Sequence, residues 1–82
     1  MITLHYGGLD IHKETIEVVG FRENETAPCI EKRISNRTRS IKKVFERLLN
    51  EGSVIACYEA GCMGFTLQRV LEGMGVPTVV AA

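Results

Sequence analysis

The chain has 82 residues, 45% of them hydrophobic and 24% charged, with a formal net charge of zero; this suffices for one small cored domain, near the size at which burial only just offsets chain entropy. The composition reads as that of an ordinary globular protein, since no polar tract runs long enough to suggest disorder. No run approaches the roughly 20 apolar residues of a membrane-spanning helix, and the N-terminus lacks the basic and apolar regions of a signal peptide, so a cytoplasmic protein without a membrane partner is expected.

Residues 3–10 and 15–21 are rich in apolar and β-branched types and are separated by IHKE, which predicts two strands of a hairpin. A polar break follows at residues 24–28. Residues 29–34 then alternate, Cys29, Glu31 and Arg33 against Ile30, Lys32 and Ile34. Their apolar face is thin, as on an edge strand.

The period changes after residue 38. Ile41, Val44, Phe45, Leu48 and Leu49 recur at i, i+3, i+4, i+7 and i+8, one stripe of an amphipathic helix over 38–50. Asn36 or Thr38 is the expected N-cap. Glu51-Gly52-Ser53 ends this helix, and the apolar run 54–58 between turn residues predicts a strand buried on both faces. Leu67, Val70, Leu71 and Met74 mark a second helix closed by Gly75 and Pro77, and residues 77–81 form a last strand. The order strand, strand, strand, helix, strand, helix, strand predicts an α/β fold, an antiparallel meander followed by crossovers onto parallel strands.

Charge is unevenly spread. Residues 32–47 hold Lys32, Arg33, Arg37, Arg39, Lys42, Lys43 and Arg47 against Glu46 alone, a local charge of +6 that leaves −6 for the remainder. Arg39, Lys42, Lys43 and Arg47 fall off the buried stripe of the helix, where they either contact nucleic-acid phosphates or form an ordinary solvated face.

Two acids end apolar strands: Asp10 after a pair of glycines, and Glu59 in VIACYEAG. If their strands lie parallel and adjacent, the carboxylates meet at the carboxyl edge of the sheet, where open α/β sheets bind ligands. Hard divalent cations take a few carboxylate oxygens together with water and phosphate. Gly7, Gly8, Gly61 and Gly64 would leave room for close approach. The ordinary alternative has Asp10 capping a turn and Glu59 paired with a lysine such as Lys13. His12 and Lys13 follow Asp10 and could reach a phosphate or a metal-bound water, or be merely exposed. His5 is expected to be a satisfied packing residue. Tyr58, Phe45 and Phe65 are read as core. The three cysteines, Cys29, Cys57 and Cys62, include no C-x-x-C pair, so they are read as reduced packing thiols, with no disulfide framework or zinc site.

GLDIHKETIEVV, then ISN before the basic helix, then CYEAGCMGFTLQRVLEGMGV and a closing VVAA, resemble the N-terminal segment of DEDD-type insertion-sequence transposases, the IS-one-ten group related to Piv-type DNA invertases. The resemblance spans essentially the whole chain. It implies an RNase H-like (RuvC-like) mixed sheet of about five strands, the first three antiparallel, with two helices. Residues 1–82 would then be one N-terminal part of a larger catalytic domain, an incomplete fold.

In the G-x-D-x-H-K and Y-E-A patterns of that family, Asp10 matches the first catalytic acid and Glu59 the second. Leu9 stands where isoleucine is frequent, and Cys62-Met63 replace a proline-containing pair. The two further aspartates of the family have no counterpart within the 82 residues. The implied activity is cutting and rejoining of DNA at a mobile element with a divalent metal, Mg2+ or alternatively Mn2+. The implied partners are DNA, a guide RNA and further copies in a homo-oligomer. By itself this chain is expected to show no recombination activity. Two other readings remain open: a non-catalytic assembly or nucleic-acid-binding module, and a kinase- or actin-like phosphate-binding fold. Against the latter, Ile11, His12 and Lys13 are bulky for a phosphate-cradling turn, and no Walker motif is present.

Overall fold

In the computed structural model, which describes residues 3–59, 61 and 65–81, the elements follow the predicted order. They are β1 (Thr3–Ile11), β2 (Thr15–Arg22), β3 (Ile30–Ser35), α1 (Thr38–Glu51), β4 (Gly52–Glu59), α2 (Thr66–Gly73) and β5 (Thr78–Ala81). One five-stranded mixed sheet has the order β3-β2-β1-β4-β5. β1, β2 and β3 pair antiparallel, whereas β1 with β4 and β4 with β5 pair parallel. Thus β1 and β4 are the neighbours that the site hypothesis requires, and β3 is an edge.

Period-two alternation sorts the strand side chains onto two faces. One face carries His5, Leu9, Ile16, Val18, Ile34, Val54, Ala56 and Tyr58, all buried under the two helices. α1 contributes Ile41, Val44, Phe45 and Leu48, and α2 contributes Leu67 and Leu71. Burying each large apolar side chain contributes about 1.5–3 kcal/mol, which is how a domain this small holds together. Phe45 lies over Gly7, where an added Cβ would meet the Phe45 ring at 3.5 Å. Gly7 therefore makes room for the core and not for a substrate. On β2, a Cβ at Gly20 would lie 2.6 Å from Ile30 Cγ2 on β3, so Gly20 permits that close strand pairing.

β4 departs from expectation. It is buried on one face only: Val54, Ala56 and Tyr58 point into the core while Cys57 and Glu59 are exposed. The reason is that both helices pack on the same side, and no described element covers the other. That open face carries Tyr6, Gly8, Val19, Phe21, Ile55, Cys57 and Val79, with Tyr6 45% and Val79 60% exposed. Cys57 is thus an exposed free thiol and not a packing group; Cys62 and Gly64 lie outside the described residues.

Two helix ends also differ. Arg37 is the N-cap of α1 and makes no side-chain capping bond. Asn36 instead reaches back to the β1–β2 turn, donating from Nδ2 to the carbonyls of His12 (2.8 Å) and Lys13 (3.3 Å), while its backbone N–H donates to Glu14 O at 2.8 Å. Phe65, expected in the core, is 57% exposed at the N-cap of α2. There the Tyr58 hydroxyl of β4 accepts the Gln68 N–H at 3.1 Å, satisfying one of the donors that every helix start leaves free. The far end of α2 closes with Gly75 at φ +88°, Gly75 N–H to Glu72 O and Val76 N–H to Leu71 O, both 3.0 Å. This is a Schellman closure. The radius of gyration, 11.7 Å, equals the value of about 11.7 Å expected for a compact chain of this length.

Candidate functional site at the carboxyl edge of the sheet

Parallel registration of β1 and β4 runs from Thr3 opposite Gly52 to Leu9 opposite Tyr58. Asp10 and Glu59 are the next residue on each strand, so by alternation both leave the sheet on the open face, side by side at its carboxyl edge. Both are exposed. They line one concavity of about 630 Å³ together with Gly8, Cys57 and Gly61. Gly8, unlike Gly7, faces this open side, and its missing side chain leaves the floor of the concavity low.

Asp10 has neighbours on its other flank. In the hairpin it lies opposite Glu17, and His12 turns back so that Nε2 is 3.2 Å from Asp10 Oδ2. The hairpin is tight, His12 N–H donating to Thr15 O at 2.8 Å, and Asn36 holds the turn from outside. Glu17 accepts from Arg33 of β3 at 2.7 Å. Ligand atoms of Asp10, His12 and Glu17 all lie within 4.8 Å of one another. Lys13 is exposed in the same turn and has no ion pair among the described residues.

The basic residues of α1 are elsewhere. Arg39, Lys42, Lys43 and Arg47 are all exposed, on the helix layer across the sheet from the open face. α1 starts at the carboxyl edge, beside the turn that Asn36 holds, and runs away from it. Arg39 is therefore nearest the acids, and Arg47 is eight residues, about 12 Å of helix, further on.

The sequence reading missed Glu17, Arg33 and Asn36. The signal for Glu17 was present: pairing Ile11 with Ile16 across the turn puts position 17 opposite position 10. Asn36 carried no such signal, because its partners are 23 and 24 residues away.

A mixed five-stranded sheet with acids at the carboxyl ends of two adjacent parallel strands defines an α/β protein with a candidate cation- or phosphate-binding edge. The chain is 37% identical over 78 residues, 94% of its length, to the transposase for insertion sequence element IS1533 of Leptospira borgpetersenii. It spans 22% of that relative. No family model matches the chain. The similarity to a transposase of an insertion sequence therefore extends over nearly all of this chain while covering about a fifth of the relative, and no helix among the described residues is long and apolar enough to cross a membrane.

Proposed function

We propose that this chain is the first portion of the catalytic domain of a DEDD-type, RNase H-like (RuvC-like) transposase of the IS-one-ten group, in which Asp10 and Glu59 share a divalent cation. The observation that carries the reading is their arrangement: two exposed carboxylates on one sheet face, each one residue beyond a registered pair of adjacent parallel strands. The strand order, with its antiparallel first three strands, and the 37% identity to an insertion-sequence transposase support it further.

The donor set fits Mg2+, with Mn2+ as the alternative, since hard cations favour carboxylate oxygen and keep several waters for a phosphate to displace. When bound, such a cation supplies charge stabilisation and a polarised oxygen for phosphoryl transfer. The protein's own part is to hold the two carboxylates on rigid strand ends, leave space above Gly8 for a sugar-phosphate backbone, and present His12 and Lys13 in the turn that follows Asp10, where they would meet a phosphate. Arg39, Lys42, Lys43 and Arg47 contact phosphates without reading sequence. The whole protein would act on DNA in the cytoplasm as a homo-oligomer with a guide RNA, and recombination would require the remaining acids, which these 82 residues do not contain.

Magnesium titration followed by carboxyl-carbon NMR tests the reading. The Asp10 and Glu59 signals should move together and saturate, Asp10→Asn should abolish the Glu59 response, and Glu59→Gln should weaken that of Asp10. Independent behaviour of the two carboxylates, or no response at millimolar Mg2+, sinks it.

A further inference from the structure

We infer that Asp10, His12 and Glu17 form a second cation site on the β2 side of Asp10, selective for a transition-metal ion such as Mn2+ over Mg2+. This goes beyond the Asp10–Glu59 reading and stands whether or not that reading holds, because Glu59 is no part of it.

The donors come from three places: the end of β1, the turn after it, and the facing position of β2. All three ligand atoms lie within 4.8 Å of one another. On a cation with bonds of about 2.1–2.2 Å, neighbouring ligands are about 3 Å apart and opposite ones about 4.3 Å. The 3.2 Å between His12 Nε2 and Asp10 Oδ2 is close to that of an adjacent pair, and the 4.8 Å bound on the other separations is within about 0.5 Å of an opposite pair. Exposed side chains make a movement of that size without disturbing the core.

Chemistry and backbone both favour occupancy. Imidazole nitrogen suits Mn2+ and the later divalent metals better than Mg2+, which prefers oxygen and sheds water reluctantly. His12 would ligate through Nε2 with its proton on Nδ1. The turn that presents it is clamped from outside the cluster by Asn36, whose bonds to the carbonyls of His12 and Lys13 lower the entropy lost on binding. Asp10 and Glu17 face each other across the hairpin, so their carboxylates gain from a cation between them. Arg33 offsets one of these charges through Glu17 Oε1 at 2.7 Å, leaving the second oxygen available. Arg33 is thus the cation's competitor, which yields an unusual signature: removing a positive side chain that touches a ligand but does not itself ligate should tighten binding.

The test uses the 82-residue chain carrying Glu59→Gln, so that a cation held by Asp10 and Glu59 does not contribute. Mn2+ titrated by calorimetry, with paramagnetic broadening of the His12 ring signals as the site-specific readout, should show one ion bound. Affinity should fall by at least about tenfold in His12→Ala and in Glu17→Gln and rise about threefold in Arg33→Ala. Mg2+ should bind more weakly and be indifferent to His12→Ala. Absence of Mn2+ binding in the Glu59→Gln chain, or binding that His12→Ala and Glu17→Gln leave unchanged, overturns the inference while leaving the Asp10–Glu59 reading to its own test.

Discussion

His5 is nearly fully buried (1% exposed), and neither of its ring nitrogens has a hydrogen-bond partner among the described residues. A buried polar group without a partner forfeits its hydration, at a cost of about 1–3 kcal/mol. His5→Leu, of similar volume, should therefore stabilise the domain by about 1 kcal/mol, read as a higher urea midpoint at unchanged slope. A lower midpoint would mean that the ring has a partner. Tyr58 shows the opposite arrangement at the same depth, since its hydroxyl meets the Gln68 N–H at the start of α2. Asp10 and Glu59 were legible as strand-terminal acids because each follows an apolar run. Glu17 was legible only once the hairpin register was counted.

At the scale of elements, the short helix α2 depends on its ends. With eight residues it is far below the length at which an isolated helix is stable in water, so Tyr58 at one end and Gly75 at the other supply what propensity cannot. Gly75 sits at φ +88° with open space where a Cβ would go. Gly75→Ala therefore probes backbone conformation without a steric clash, and it should destabilise by about 1 kcal/mol. Thermal unfolding checks this: an unchanged melting temperature would show that the Schellman closure contributes nothing. The β1–β2 turn is similarly tied from a distance, by Asn36, which the sequence presents as a cap for α1 because Asn before a helix ordinarily caps it.

Over the whole molecule, the charge split noted in the sequence becomes a spatial one. Arg39, Lys42, Lys43 and Arg47 line the outer surface of the helix layer, whereas Asp10, Glu17 and Glu59 lie on the open face at the carboxyl edge. A polyanion attracted to the first surface is not drawn across the acids, and only the Arg39 end of α1 approaches them. Replacing all four basic residues by alanine should reduce the slope of log affinity for duplex DNA against log salt by about 3 to 4, since each lost phosphate contact contributes about 0.9. Filter binding at several salt concentrations measures it, and parallel slopes for the two proteins would make this surface an ordinary solvated face. The open apolar face has a different origin: β4 reads as doubly buried because Ile55 and Cys57 continue its apolar run, yet no described element lies against them.

Periodicity and turn residues determined the elements, their order and most of the core. Alternation and the 3.6-residue stripe are properties of the chain that burial must obey, and Leu9, Val18, Phe45 and Leu71 are buried where those patterns put them. Tertiary structure decided what depends on which distant segments meet. It set the pairing of β1 with β4 that makes neighbours of Asp10 and Glu59, and the packing of both helices on one side. It also brought Asn36 to the turn beside His12. Local sequence carries no term for such contacts, because their energy arises only when residues tens of positions apart share one surface.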